Sequence, residues 1–530
     1  MYNEQMLASI QKLEASREQR MANEPRRMMA KEKEDLLSTY HPDHRVEQFS
    51  ALRAGPNKGD KVPLELATVL ESHSRIRGHY IDLGKIDYDV DVLIIGGGGA
   101  GSSAAIEAHN CGANVMIITK LRLGDANTMM AEGGIQAATK ENDSPYQHYL
   151  DSFGSGHFAA QPDLLKKLVS EGPEAIKWLN DFGVMFDKEP DGTLVTTSGG
   201  GVSRKRVHAC ADYTGAEVMR TLRDEVTNRD ITVVDFTAAV ELILDVDGKA
   251  AGAVLYNMET GEYHVARAKT VIIATGGAGR LHYQGFPTTN HYGATADGLV
   301  LAYRVGVQLV YPDAFQYHPT GVAFPIQIFG CLITEKVRAV GAMIINVEGE
   351  AFIHPLETRD VAAAGIIREC SIHGKGVSTP DGKAVWLDTP LIDIIHGEGK
   401  IEKAIPAMLR MFLKYGIDMR KQPILAYPTL HYQNGGIKTN VDCSTKVENL
   451  FIAGEAIGGI HGRNRLLGNS MLDIIVFGRT AGINAAEKSK SVEVKKLSLA
   501  HVKEFEHELK DAGIDTGKKS PILLPSYARK

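Results

Sequence analysis

An α/β fold is what this chain predicts, on three observations. An apolar run from Val90 to Ile95 is followed directly by a glycine loop from Gly96 to Gly101. A second apolar run, Ala113 to Ile118, comes after the helix-forming stretch from Ser102 to Ala108. Strand, turn, helix and strand in that order open a Rossmann-like nucleotide-binding unit. Further on, Glu241 to Val271 reads as short strands joined at Asp247-Gly248 and Thr260-Gly261, ending in Val271-Ile272-Ile273-Ala274-Thr275-Gly276-Gly277. This pattern predicts a β-meander placed before a returning parallel strand. Thr214 with Glu217 makes a capping box for a helix running to about Asn228.

Upstream, residues 1–86 read as a charged N-terminal extension, with Glu alternating with Lys and Arg around sparse Met, Leu and Ile, and with Pro42, Pro56 and Pro63 breaking its second half. One or two solvated helices are expected there, as a clamp along the protein's own surface or a partly mobile arm, with a docking arm for another subunit as the alternative. Every cofactor motif lies beyond residue 88, so the extension is expected to be dispensable for cofactor binding.

Composition narrows the function. At 530 residues, 43% hydrophobic and 23% charged, the chain has room for two or more domains. A formal net charge of −6 removes the electrostatic reason to expect nucleic acid. Cys111, Cys210, Cys331, Cys370 and Cys443 are scattered and form no CxxC, so neither a disulfide framework, a zinc site nor an iron–sulfur cluster is expected, and each reads as a small buried hydrophobe. Glu4, Glu14 and Glu18 argue against a transit peptide, Arg26-Arg27 leads into no export signal, and no apolar run approaches the roughly 20 residues of a membrane span. The expected location is cytoplasmic.

Gly96, Gly98 and Gly101 satisfy GxGxxG in the context that brings a helix N-terminus to a pyrophosphate. The acid that normally ends the second strand is replaced by Thr119-Lys120, which argues against a standard NAD site. The glycine loop, Ala131-Glu132-Gly133-Gly134, Ala274-Thr275-Gly276-Gly277-Ala278-Gly279-Arg280 and Ala453-Gly454-Glu455-Ala456 occur in the order found in the flavoprotein subunits of fumarate reductase and succinate dehydrogenase. The chain resembles that family over roughly residues 88–486, and L-aspartate oxidase belongs to the same superfamily.

The resemblance implies an FAD-binding domain in two parts, 87–319 and 429–488, with an inserted α+β capping domain at 320–428 and a short helical C-terminus at 489–530. It implies FAD held by Gly96, Gly98, Gly99, Ala100, Gly101, Lys120, Asn127, Thr128, Glu132, Gly133, Gly134, Thr275, Gly276, Ser470 and Met471, with Glu455 on the ribose and Asp297 on a distal part of the cofactor.

Five polar clusters then stand in apolar or glycine-rich surroundings: Gln316 to Gly321, Thr334 to Arg338, Thr358-Arg359-Asp360, His431 to Gly436 and His461 to Arg465. Singly they are ordinary; an Arg-Asp pair such as Arg359-Asp360 is usually a local salt bridge. Together they supply cations and hydroxyls without a nucleophile and base, which suits a dianion and not acyl transfer. By resemblance His318, Thr334, His431 and Arg465 grip two carboxylates, and Arg359 delivers a proton replenished through Glu335 and Arg338. Hydride addition to a carboxylate-conjugated alkene builds negative charge that such donors stabilise.

Three departures qualify the resemblance. Asn127 stands where membrane-bound members carry the His that links FAD, so non-covalent FAD and a bias toward alkene reduction are expected. Gly199-Gly200-Gly201-Val202 replaces a Phe-Gly-Gly over the substrate, which opens the site to a larger acid, and the C-terminal helical region is cut short. The leading reading is a hydride transfer between FAD and the C=C bond of a small (di)carboxylate, with electrons exchanged with a separate iron–sulfur protein. L-aspartate oxidase is the alternative enzyme, although Val476-Phe477-Gly478-Arg479 is closer to the reductases. A non-catalytic FAD electron relay in a larger complex is the third reading.

Overall fold

The computed structural model describes residues 2–525. Its largest sheet is built around four parallel neighbours: β1 (Tyr88–Ile95), β2 (Val115–Ile118), β3 (Thr232–Val234) and the C-terminal part of a longer strand. Helix α1 (Gly99–Asn110) makes the crossover from β1 to β2. The meander is β4 (Thr237–Asp245), β5 (Ala250–Asn257) and β6 (Tyr263–Ile273), antiparallel in sequence. Meander and returning strand share one element: β6 pairs with β5 through Arg267 and with β1 from Ala266 onward.

Register positions the site. Ile95 lies opposite both Ile118 and Ile273, and Ile273 opposite Ile452, so Gly96, Thr119, Ala274 and Ala453 all leave the sheet at one edge. That edge is the carboxyl end of the parallel strands, where crevices form in open α/β sheets.

A second layer carries its own core. Strands β7 (Phe315–Phe324), β8 (Gly382–Leu387) and β9 (Ile424–Gln433) form an antiparallel sheet with Ile344–Ile345 at its edge, and helix α2 (Arg359–Ser371) packs on it. Trp386, Val385, Leu425 and Ile366 are fully buried there. The chain then returns to the first sheet through β10 (Leu450–Ile452) and ends its main body in α3 (Asn469–Ser489), which packs along α1.

The N-terminal segment lies along the protein's own surface, as the clamp reading has it, but is anchored more deeply than the solvated helices expected there. The helix Glu4–Ala15 buries Met6, Ile10 and Leu13 in the second core, Tyr2 donates to the Pro423 carbonyl at 2.7 Å, and Arg17 and Arg20 converge on the buried Asp388. Spacings of four and three residues put those apolar side chains on one narrow stripe, which the surrounding charges obscure in the sequence. Leu52, Val62, Leu66 and Leu70 are buried in the first core. A chain beginning near Lys85 leaves both sets of positions unfilled, so the expected dispensability does not follow from the cofactor motifs alone.

Three smaller differences stand beside it. Thr214 is already helical and its hydroxyl accepts from Cys210 N, while the Glu217 carboxylate turns to Met185 N and Arg220, so no capping box forms. Cys210, Cys370 and Cys443 are buried, but Cys331 is exposed and Cys111 half-buried. Residues 489–525 contribute the helix Ala500–Asp511, a two-residue strand Leu497–Ser498 beside β4, and Lys519–Ser520 parallel to His73–Ser74; residues 526–530 lie outside the described residues. Among the described residues no helix is long and apolar enough to cross a membrane.

Candidate active site

The crevice begins as a cradle of backbone. Gly96 has φ +120°, and a Cβ there would lie 2.3 Å from the Ala274 carbonyl oxygen; a Cβ on Gly101 would lie 1.9 Å from Gly96 O. Only glycine lets turn, strand and helix close this tightly. Gly98, Gly99, Ala100, Thr275 and Gly276 line the same cavity, and the Thr128 hydroxyl accepts from Gly99 N at 3.1 Å. At the far end Lys120 donates to Asp297 (2.6 Å) and Thr295 (2.7 Å). Lys120, which follows the second strand where an acid is usual, is thus paired with an acid from a different part of the chain.

A second chamber adjoins the first, sharing Asn127, Thr128, Glu455 and Ile474 with it. Glu132, Ser470, Met471 and His431 line it. Glu132 Oε2 and Gln433 Oε1 are buried without a hydrogen-bond partner. Burial, then the Asp212 carboxylate, holds the Glu132 acid well above the usual carboxylate range. Glu455 is pushed up to about 7 by burial, offset in part by Gln433 N–H and the Asn127 amide. Gly133 and Gly134 pack behind, against Leu467 and the His208 carbonyl. A glycine cradle leading into a polar-lipped chamber with an unpaired carboxyl oxygen and an unpaired amide oxygen fits FAD, an extended molecule with a pyrophosphate at its middle and hydroxyls along its linker.

Around the second chamber lie the polar residues. Arg359 donates from Nε to Glu335 Oε2 (2.9 Å) and from Nη1 to Gln316 Oε1 (3.0 Å). Arg338 approaches the same Glu335 oxygen at 3.5 Å, and Gly200 N donates to Glu335 Oε1 at 2.6 Å. Arg465 donates from Nη2 to Gln316 Oε1 (3.0 Å) and stacks 4.4 Å over the Tyr432 ring, with Nε unpaired. His318 and His431 face each other 5.0 Å apart; His431 Nδ1 meets the Thr289 hydroxyl at 2.7 Å, and His318 Nε2 has no partner. Thr334 is buried beside Glu335, its hydroxyl accepting from Lys336 N.

Desolvation dominates the electrostatics. It draws both imidazoles well below their ordinary value, assisted by the neighbouring arginines, and lowers Arg338 and Arg465 to about 10. Glu335 is held below the usual range because the Arg359 and Arg338 charges outweigh its burial. Arg359 and Arg338 meet Glu335 directly and Arg465 joins them through Gln316, so three buried guanidiniums gather around Glu335, a local excess of positive charge that Asp473 and Glu455 offset in part at Arg465.

The sequence reading missed Gln316 as a link: its side-chain oxygen is the shared acceptor of Arg359 and Arg465. It also left Asn290 out, although Asn127 Nδ2 donates to Asn290 Oδ1 at 2.7 Å. The bland pairing of Arg359 with Asp360 does not occur; Asp360 bonds His157 (2.7 Å) and Asn464 (3.1 Å). An amide side chain carries no charge and no motif spacing, so the folded arrangement alone reveals Gln316.

The profile of the FAD binding domain family matches residues 91–471. One component of the CoM/CoB fumarate reductase of Methanothermobacter marburgensis is 37% identical over 434 residues, covering 80% of this chain and 77% of that protein. L-aspartate oxidase of Streptomyces coelicolor is 34% identical over 401 residues, with 73% and 67% covered. A solved variant of E. coli quinol fumarate reductase superposes with a TM-score of 0.72 at 31% identity, covering 80% of this chain and 74% of that one.

Proposed function

This chain belongs to the FAD-binding-domain family of the fumarate reductase and succinate dehydrogenase flavoproteins and is an FAD-dependent oxidoreductase of that type, and from that premise we propose that it reduces the C=C bond of a small unsaturated dicarboxylate. The cluster of three buried guanidiniums around Glu335 carries the reading, because a dicarboxylate dianion compensates their excess positive charge. Bound FAD supplies a hydride at its N5. His318, Thr334, His431 and Arg465 hold the carboxylates. The two neutral imidazoles serve as hydrogen-bond donors and leave the charge compensation to the arginines. As the carbon next to one carboxylate gains charge, Arg359 delivers a proton to it, and the Arg338–Glu335 pair returns a proton to Arg359. A guanidinium is a poor acid and the neighbouring carboxylate favours its charged form; what the contact with Glu335 supplies is a route by which the donated proton is replaced at once.

Asn127 supports a non-covalent cofactor: its amide is engaged by Asn290, Glu455 and His291 N, and it offers no nucleophile for a flavin linkage. Electrons are proposed to come from a separate iron–sulfur protein in the cytoplasm, consistent with a relative named as one part of an assembly. An anaerobic screen of unsaturated mono- and dicarboxylates against the purified holoprotein with a reduced dye tests the proposal. Dye reoxidation by dicarboxylates is expected. Flavin reduction by L-aspartate would instead favour the oxidase chemistry of the second relative.

A further inference from the structure

Two side chains named above as proton donor and carboxylate clamp depend on one neutral oxygen, Gln316 Oε1, which accepts from Arg359 Nη1 and Arg465 Nη2, each at 3.0 Å. An amide can face either way, so something must fix that oxygen toward the guanidiniums. Gln316 Nε2 donates to Asn464 Oδ1 (2.9 Å) and to the Arg465 carbonyl (2.7 Å), which uses both of its hydrogens. Asn464 Nδ2 in turn donates to Asp360 Oδ1 and to the Ser155 carbonyl, each at 3.1 Å. The other Asp360 oxygen bonds His157 Nε2 at 2.7 Å.

Asp360 anchors the far end of this chain, while the Ser155 and Arg465 carbonyls, which also only accept, hold the same polarity at Asn464 and Gln316. A carboxylate only accepts, so Asn464 must turn its NH2 toward it and its oxygen toward Gln316; Gln316 must then turn its NH2 toward Asn464 and its oxygen toward the arginines. A flipped Asn464 would set its oxygen against a carboxylate and a carbonyl, and its NH2 against another NH2. Asp360, Asn464 and Gln316 are 4%, 3% and 1% exposed, so water does not rescue a reversed amide.

We propose that Asp360, acting through Asn464, is a positioning residue that anchors Gln316 in place and so helps hold Arg359 and Arg465 in one register; the inference rests on the roles given to those two arginines above. His157 braces the solvent end. It sits with Phe158 in a pair of left-handed backbone positions, both at φ +57°, and the loop they form is tied to the segment bearing Asn464 through Arg463 N and Gly156 O.

The test compares Asp360→Leu, Asp360→Asn and Asn464→Leu in the FAD-loaded full-length protein. Asp360→Asn keeps an acceptor oxygen for Asn464, whereas the leucine variants break the chain at two successive links. The leucine variants are expected to lose at least about tenfold in kcat for dicarboxylate reduction, since small misplacements of a positioned group cost about that much or more. They should also raise KM, because the clamp moves with the proton donor. Asp360→Asn should recover most of both, at wild-type flavin content. Crystal structures of the leucine variants should show Gln316 displaced, with its contacts to Arg359 and Arg465 lengthened. Wild-type kcat and KM in Asn464→Leu, an equal loss in Asp360→Asn and Asp360→Leu, or an unchanged Gln316 in the variant crystals overturns the inference. Should the wild type reduce no dicarboxylate, the proposed function fails and the crystal structures still decide the positioning.

Discussion

Replacing Glu335 by glutamine separates a proton path from an ordinary buried ion pair. Glu335 Oε1 accepts from Gly200 N at 2.6 Å and Oε2 from Arg359 Nε at 2.9 Å, while Arg338 stands 3.5 Å away. A carboxamide has one oxygen, so one of the two donors meets an NH2 instead. A buried donor left unpaired costs about 1–3 kcal/mol, a loss a chain of this size tolerates as a small fall in Tm. The kinetic effect is larger. Arg359 no longer has a base through which its proton is returned, and kcat should fall by at least about 100-fold. The site also loses its negative charge, so a dicarboxylate binds as well as before or more tightly and KM does not rise. Steady-state kinetics with a reduced dye, alongside flavin content and Tm, measures all three. Wild-type kcat in Glu335→Gln, or a raised KM with kcat intact, refutes the reasoning.

Arg359→Ala should remove at least about two orders of magnitude of alkene reduction with flavin content unchanged, and Lys should rescue poorly because an ammonium cannot serve Glu335 and Gln316 together. Acid precipitation of the holoprotein should leave yellow flavin in the supernatant; flavin fluorescence retained in the denatured protein band would contradict the non-covalent assignment at Asn127. Glu455 gives a pH-dependent prediction for the apoprotein. Its folded-state value, about 7, lies above the ordinary 4.5, so its contribution to stability is present below about pH 4.5 and is lost as pH rises toward 7. Glu455→Gln should therefore raise the apoprotein Tm near about pH 8 and not near pH 4.5, while weakening FAD binding; equal shifts at both pH values would argue against a titrating Glu455.

Much of the fold was legible because it is local. The strand, glycine loop and helix at Val90 to Ala108 announce themselves through periodicity and through glycines that no other residue replaces. The turns at Asp247-Gly248 and Thr260-Gly261 bound the meander for the same reason. The N-terminal segment read as more solvated than it is because its apolar stripe of Met6, Ile10 and Leu13 is thin and its partners, Pro423, Asp388 and Trp386, are hundreds of residues away. The site divides the same way. Charged and glycine-rich motifs pointed to Arg359, Glu335, Arg465 and the cradle. Gln316, Asn464 and Asp360 act through hydrogen-bond direction, which exists only once three distant segments meet.

If the excess positive charge around Glu335 binds a dianionic alkene and Arg359 completes its reduction, the reduced flavin alone suffices for one turnover. Single-turnover mixing of the anaerobically reduced flavoprotein with fumarate, followed at the flavin absorbance, tests this with no electron donor needed. Rapid, saturable reoxidation that yields one succinate per flavin, and that nearly vanishes in Arg359→Ala, is the predicted result. A flavin that stays reduced with fumarate and other unsaturated dicarboxylates, or an Arg359→Ala variant that reoxidises at the wild-type rate, would contradict it.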